Sequence, residues 1–364
     1  MKAAVLDGIG SKFEVREVEL DKPKSGELLV KVAASGLCAS DLNAVDGKRK
    51  LVPFPAVIGH EAAGVIVEVG ADVKGFSVGD HVIMSIVPSC GTCEYCASGR
   101  PNYCATAGNA MSVGGLFDGT SRLSQNGEKL NHFLTVASFA EYVVVPASGA
   151  VVIPDEMPLD RAALISCAVL TGYGAVMNTA KVKPGSTVAI FGCGGVGLNI
   201  VQGARMAGAT TIIAVDVTQE KLDLAKKVGA THVINGATSD PVAMVKEICG
   251  GVDYAFEALG RESTIQQAWG TVGVDGTLIL VGLMKNGATI TLDAGPFVNE
   301  QSIKGCYFGS ANLRKDVPAL VKSYLNGELF LDELISERIG LEGLNSAFDR
   351  LRAGEGARNV LVFD

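Results

Sequence analysis

TVAIFGCGGVG, residues 187–197, decides how the chain is read. A short apolar run, TVAIF, passes directly into Gly192-Cys193-Gly194-Gly195-Val196-Gly197, and a helical pattern, GLNIVQGARMAG, follows. The pattern G-x-G-x-x-G is weak alone. It gains force here because it has a strand before it and an amphipathic helix after it. The glycines permit a tight turn and let the backbone approach a pyrophosphate, toward which the helix N-terminus points unpaired N–H groups. The next apolar run, TIIAV, ends at Asp216, 19 residues beyond Gly197. A carboxylate there accepts hydrogen bonds from the ribose hydroxyls and repels a 2′-phosphate, so NAD is expected rather than NADP. Lys221, five residues on, reaches the same ribose or is a solvated helix lysine. The competing reading is a glycine-rich turn with a surface aspartate, and it has to explain both flanks and the spacing as chance.

Working outward from this stretch, short apolar runs alternate with helical segments from about 170 to 310: TIIAV, THVIN, VDYAFEA and GTLILVG with helical patterns between them. Such alternation predicts a parallel sheet wrapped by helices. Upstream the rhythm is different. ELLVKVAASG, HEAAGVIVEVG, DHVIMSIV and FAEYVVVP are short alternating runs punctuated by Gly and Pro, the mark of a β-rich domain. The last 50 or so residues hold one helix, DVPALVKSYLNG, and a final strand, NVLVFD. The runs GTLILVG and ATITLD are the expected sheet edge for pairing with a second copy.

The chain has 364 residues, which suggests two domains, and a net charge of −8, which disfavours nucleic acid and anionic membranes as partners. No secretory pattern opens it and no uninterrupted apolar stretch has the length of a membrane span, so the expectation is a cytoplasmic protein.

Nine cysteines are present, and four of them, Cys90, Cys93, Cys96 and Cys104, fall in CGTCEYCASGRPNYC. A disulfide knot disagrees with the odd count and a reducing compartment. Packed thiols do not account for the density. The spacing C-x2-C-x2-C-x7-C lets one loop wrap four thiolates around an ion, a closed, structural zinc site. The polar loop has little core of its own, so metal binding would supply its folding energy, on the order of 10 kcal/mol in comparable small sites. Cys38, His60-Glu61 and Cys167 form a second, dispersed set in SGLCASD, VIGHEAAG and LISCAVLTGYG. Taken singly, each is equally well a turn histidine or a core cysteine.

Together, GHEAAG, the four-cysteine loop, DGTSRLS, and GCGGVG with Asp216 resemble the zinc-dependent medium-chain alcohol dehydrogenase family over essentially the whole chain, most closely its class III and aryl-alcohol branches. The resemblance implies an α/β fold: a doubly wound parallel Rossmann sheet plus a β-rich GroES-like catalytic domain. It implies a catalytic domain over 1–169, carrying the structural loop at 90–104, an NAD-binding domain over 170–310, and a return to the catalytic domain over 311–364. It also implies two zinc ions per chain, the second held by Cys38, His60 and Cys167 with Glu61 beside it and a fourth position open to water or substrate. Ser40 matches the residue that takes the alcohol proton, and Asp41 the residue that orients the histidine ligand. Thr171 and Val196 match nicotinamide-holding positions, Arg358 the arginine that pairs with the pyrophosphate, and Ile86 and Phe139 the apolar substrate channel. Each has an ordinary alternative: Ser40 and Asp41 as a helix cap, Val196, Ile86 and Phe139 as core, Arg358 as a surface charge. A homodimer or homotetramer is the assembly the resemblance suggests.

Three positions depart from the family. Asn43 stands where a proton-relay histidine is expected, and an amide does not titrate near neutral pH. Ala39 replaces a basic residue beside the pyrophosphate, which predicts weaker NADH binding. Gly108 stands where class III enzymes place an arginine for the carboxylate of a glutathione adduct. The expected substrate is therefore an uncharged primary alcohol, aromatic or of medium chain length. The alternatives are an adduct of another thiol, or a non-enzymatic redox sensor whose cysteine loop ejects zinc. The sensor would have no use for the dispersed set.

Overall fold

The computed structural model describes residues 1–363. The chain divides into two compact units. One contains Met1–Cys167, Asn312–Gly327 and the chain from Leu334 onward; the other contains Ala168–Ala311 and Glu328–Glu333. Nothing in the sequence pattern announces the short excursion at Glu328–Glu333 into the second unit.

The first unit is built on two mainly antiparallel sheets. In the larger, Ala150–Ile153, His81–Met84, Glu61–Val69, Glu27–Gly36, Arg358–Val362 and Ile335–Ile339 lie side by side in that order, and Tyr142–Pro146 also pairs with Glu27–Gly36. The C-terminal strand thus closes against the longest strand of the N-terminal region, with Val360 opposite Gly36. In the smaller sheet, Lys2–Leu6 pairs antiparallel with Glu14–Glu17 and Ala56–Val57 runs parallel to Glu128–His132. The alternating Val, Ala and Ile of these strands put one face into a dry core, each fully buried Val, Leu, Ile or Phe contributing about 1.5–3 kcal/mol.

The second unit is a six-stranded, wholly parallel sheet in the order His232–Asn235, Thr211–Asp216, Thr187–Phe191, Val252–Glu257, Val272–Leu280, Ser302–Gly305. Thr187–Phe191 and Thr211–Asp216 read as continuous apolar runs because helices cover both faces of such a sheet. Strand order reverses between Thr187–Phe191 and Val252–Glu257, the switch point at which doubly wound sheets open their ligand crevice. Helix Pro241–Cys249 shows the local logic. Asp240 caps it by accepting the Val242 N–H at 2.9 Å, Pro241 fills its first position, and Gly250 ends it in a left-handed conformation.

The expected pairing edge needs correction. Val272–Leu280 has a strand on each side, and ATITLD at 288–293 forms no strand, so the outer strand on that side of the sheet is Ser302–Gly305. Alternation in ATITLD is not matched by a partner strand offering backbone groups. One helix, Leu159–Ala180, is long and apolar enough to cross a membrane, but 78% of its apolar window is buried inside the protein, as in a core helix.

Candidate active site and metal centres

In the first unit, three chain segments that are distant in sequence bring Cys38, the adjacent His60 and Glu61, and Cys167 together. One ligand atom from each lies within 4.8 Å of all the others, and all four residues are buried. Cys38 ends the strand Glu27–Gly36 after one residue and caps helix Ala39–Val45. His60 immediately precedes, and Glu61 begins, the strand Glu61–Val69, just after Gly59, whose φ of +90° makes the corner. Cys167 lies in a π-helical segment, Ile165–Val169, an irregularity common where a helix aims a functional side chain.

Asp41 does two jobs. Its Oδ2 accepts the Cys38 N–H at 2.9 Å, closing the capping box, and its Oδ1 lies 2.8 Å from His60 Nδ1. Asp41 thus contacts both the N-cap backbone, as the third residue of the helix behind the N-cap Cys38, and the His60 ring. His60 Nε2 is buried without a hydrogen-bond partner, and in the neutral ring that donates Nδ1–H to the carboxylate it is the atom that carries the lone pair. Both Glu61 carboxylate oxygens are likewise buried without a hydrogen bond, although Arg358 approaches Oε1 at 3.3 Å. A hydrogen bond from the Cys167 thiol, opposed by burial and assisted by the Arg358 charge, holds Cys38 well below the usual thiol range. The same bond, with burial, pushes Cys167 up. Burial raises Glu61 to about 8 against the pull of Arg358. Orphaned acceptors and an acidified thiol converging in a dry site are costly unless a cation meets them, and the Cys-His-Cys donor set is one that zinc takes.

The structure shows two departures from the expected surroundings. Arg358 is 5% exposed, donates to the Leu37 carbonyl at 2.8 Å and faces Glu61. It is neither a surface charge nor free of the metal cluster. Phe139 is fully buried and packs against Phe13 and Phe348, with ring centroids 6.0 and 6.1 Å away, as a core ring does. The aromatic ring that meets the site is Phe133, edge-on to His60 at 5.7 Å. The sequence signal for it was its place directly after His132 in NHFLTV. Ile86 keeps a sliver of exposure, 8%, next to the buried Ser85. Ser40 Oγ lies 3.8 Å from Cys38 Sγ.

The four-cysteine loop is a different kind of site. Its sulfurs also lie within 4.8 Å of one another, yet only Cys104 is buried. Backbone N–H groups already point at the sulfurs: Cys93 N donates to Cys90 Sγ at 3.3 Å and Cys90 N to Cys104 Sγ at 3.2 Å. Hydrogen bonds from Thr106 and from the backbone at Thr92 and Cys93 lower Cys90 to about 5, while burial raises Cys96 to about 12. All nine cysteines are free thiols.

In the second unit the turn Gly192–Gly194 lies between Phe191 and helix Gly195–Met206. A Cβ on Gly197 would sit 1.7 Å from the Gly192 carbonyl oxygen, so helix and turn touch with no room for a side chain. A Cβ on Gly194 would meet nothing within 4 Å, and no side chain caps the helix. That open, uncapped N-terminus fits a phosphate. Asp216 holds the turn in place: Oδ2 accepts the Cys193 N–H at 2.7 Å, and Oδ1 accepts Val217 N–H and Thr218 N–H. Lys221 acts electrostatically on the buried Cys193 thiol. Gly172, next to Thr171, is packed so closely that its Cβ would be 2.6 Å from the Val196 carbonyl oxygen, which brings Thr171 and Val196 together.

Residues 24–155 match the alcohol dehydrogenase GroES-like domain, and residues 195–326 match the zinc-binding dehydrogenase domain. Over 99% of its length the chain is 39% identical to an NDMA-dependent alcohol dehydrogenase of Amycolatopsis methanolica, covering 98% of that protein. Over 100% of its length it is 37% identical to the class-3 alcohol dehydrogenase of Caenorhabditis elegans, covering 97% of it. The crystal structure of benzyl alcohol dehydrogenase from Acinetobacter calcoaceticus superimposes with a TM-score of 0.94 at 35% identity, covering 100% of this chain and 99% of that one. With these matches beside the two metal-ligand clusters and the glycine-rich turn, the chain belongs to the zinc-dependent medium-chain alcohol dehydrogenase family, as an oxidoreductase acting on alcohols with a nicotinamide cofactor and zinc.

Proposed function

We propose that the chain is an NAD-dependent dehydrogenase of primary alcohols, aromatic or of medium chain length, holding two zinc ions. The observation that carries this reading is the convergence of Cys38, His60 and Cys167 with an unpartnered Nε2. When bound, zinc at Cys38, His60 and Cys167 supplies Lewis-acid polarisation of the alcohol oxygen, and the nicotinamide supplies the hydride acceptor. Arg358 faces the Glu61 carboxyl group at 3.3 Å beside these ligands. Asp41 holds the His60 ring and its tautomer through Nδ1. Ser40 Oγ is the hydroxyl stationed to take the alcohol proton. Asn43, one turn further along the same helix, has no titratable proton to pass on, so the proton leaves Ser40 toward solvent by another route.

The carboxylate of Asp216, with its lone pairs not fully used by three backbone donors, supports the preference for NAD. Gly108 supports an uncharged substrate: it is exposed in helix Ala105–Ser112 with open space around it and offers no anion anchor. The likeness to a benzyl alcohol dehydrogenase points the same way. A thiol adduct of formaldehyde remains the second reading, favoured by the likeness to a class-3 enzyme. Nine free thiols agree with a cytoplasmic location, and the outer strand Ser302–Gly305 with pairing into a dimer or tetramer.

The test is NAD⁺ reduction by benzyl alcohol in the zinc-replete protein, beside NADP⁺ and formaldehyde mixed with a panel of small thiols other than glutathione, with glutathione as a control. The proposal expects turnover with NAD⁺ and benzyl alcohol. Turnover with the thiol adduct alone would replace it by the second reading. In the same assay Asn43→His should shift the pH–rate profile; an unchanged profile counts against any relay from Ser40 through this position.

A further inference from the structure

The glycine-rich turn is flanked by two strands, and each supplies a carboxylate. Asp216, at the end of one, holds Cys193. The other strand ends at Glu257, which lies opposite Phe191 in the sheet and is completely buried. A carboxylate buried at the end of a central parallel strand requires a reason, because losing its water is costly unless donors replace it. They do. Glu257 Oε1 accepts Leu259 N–H at 3.0 Å, Gly260 N–H at 2.9 Å and the Thr264 hydroxyl at 2.7 Å, and Oε2 lies 2.9 Å from the same Gly260 N–H. Its own carbonyl accepts Val281 N–H and Gly282 N–H, tying in the next strand.

The loop that Glu257 organises meets the nucleotide turn. Ala258 N–H donates to the Phe191 carbonyl at 2.9 Å, and the Leu259 side chain lies where a Cβ on Gly192 would be, 2.6 Å from its Cγ. The loop therefore stands at the switch point of the sheet, on the other side of the crevice from Asp216. We infer that Glu257 is a positioning residue for the nicotinamide nucleotide: its carboxylate, bonded to the 259–261 backbone and Thr264, fixes the second wall of the crevice against Gly192. The inference rests on the nucleotide reading of the glycine-rich turn. Gly282 belongs to the same device. A Cβ there would lie 2.1 Å from Gly260 N and 2.6 Å from Glu257 Oε2, so even alanine would push the loop from behind.

The experiment is fluorescence titration of the zinc-replete protein with NADH and with NADPH, alongside thermal unfolding without nucleotide. Wild type, Glu257→Gln, Thr264→Val and Gly282→Ala are compared. An amide at 257 turns an N–H₂ toward backbone N–H groups. Glu257→Gln should then weaken NADH binding about tenfold, the scale of one charge-assisted hydrogen bond, and raise the cofactor KM by more than it lowers kcat. Thr264→Val, which removes one neutral donor and keeps the shape, should weaken binding about threefold. Gly282→Ala, whose Cβ crowds Gly260 N and Glu257 Oε2, should weaken it by displacing the loop while leaving the carboxyl group itself in place. If Glu257→Gln does not fold, Thr264→Val and Gly282→Ala decide. A lowered melting temperature with unchanged NADH affinity in the folded variants would make Glu257 a structural residue only and overturn the inference. Failure of the wild type to bind either nucleotide would instead overturn the nucleotide reading itself.

Discussion

The two thiolate clusters use similar donors in opposite ways. The 90–104 loop draws all four ligands from fifteen consecutive residues, three of them partly exposed, with its sulfurs already receiving backbone N–H groups. The cluster at Cys38, His60, Glu61 and Cys167 draws its ligands from three regions of the chain, seals them from water and leaves His60 Nε2 and the Glu61 oxygens without hydrogen bonds. A loop with little core depends on its metal for folding. A site whose backbone is held by sheets and a helix does not, so under the proposed reading a metal there is free to serve chemistry. The two clusters differ in burial and support more than in ligand type, and the proposed structural and catalytic roles rest on that difference.

The sharpest way to break that contrast is to remove one ligand from each. His60→Ala should cost about a thousandfold or more in kcat, since the Lewis acid supplies several kcal/mol of barrier lowering. Its melting temperature should fall little. Cys96→Ser should do the reverse: activity persists at low temperature while the melting temperature falls by roughly 2–4 °C for each kcal/mol lost. If both variants lose stability equally and keep activity equally, the distinction is wrong. Asp41→Asn is a smaller perturbation of the buried cluster. Loss of a residue that orients a metal ligand costs about 10- to 100-fold in metal affinity or activity, measurable by competition with a chelator. An equally large effect at Thr92, which reaches Cys90 Sγ at 3.7 Å in the exposed loop, would blur the contrast.

Acid probes the support of the buried site more gently. His132 precedes Phe133, the ring that meets His60. Burial first, then the Arg122 and Lys129 charges, lower His132 from 6.5 to about 3. Between those values the unfolded chain binds a proton that the folded chain does not. Stability is therefore full above about pH 6.5 and declines as pH falls toward about 3. His132→Gln should flatten that part of the stability curve, followed by urea unfolding from pH 7 to pH 4. An unchanged slope would assign the acid sensitivity elsewhere.

The same contrast explains what was legible in the sequence. The cysteine loop and the glycine-rich turn are local: spacing alone brings Cys90 to Cys104 together, and the flanks of Gly192–Gly197 declare their own strand and helix. The dispersed set carries no such signal. Cys38, His60 and Cys167 became a site only through resemblance, because their proximity is made by the pairing of Glu27–Gly36 with Glu61–Val69 and by a π-helical turn, neither of which leaves a periodicity. Phe139 is assigned to the channel by resemblance alone, and its packing against Phe13 and Phe348 is made by chain segments far apart in sequence, which no local pattern records. ATITLD alternates like a strand but finds no partner, and alternation without a neighbour is not a sheet edge. Glu257 was silent for the opposite reason: its donors are backbone N–H groups, which no side-chain motif records.

The most direct test of the account is zinc content per chain, measured for the wild type, His60→Ala and Cys96→Ser purified under the same conditions. The account predicts about two zinc ions in the wild type and about one in each variant, with catalysis lost in the first and thermal stability in the second. A single zinc in the wild type, or a His60→Ala protein that still holds two, would contradict it.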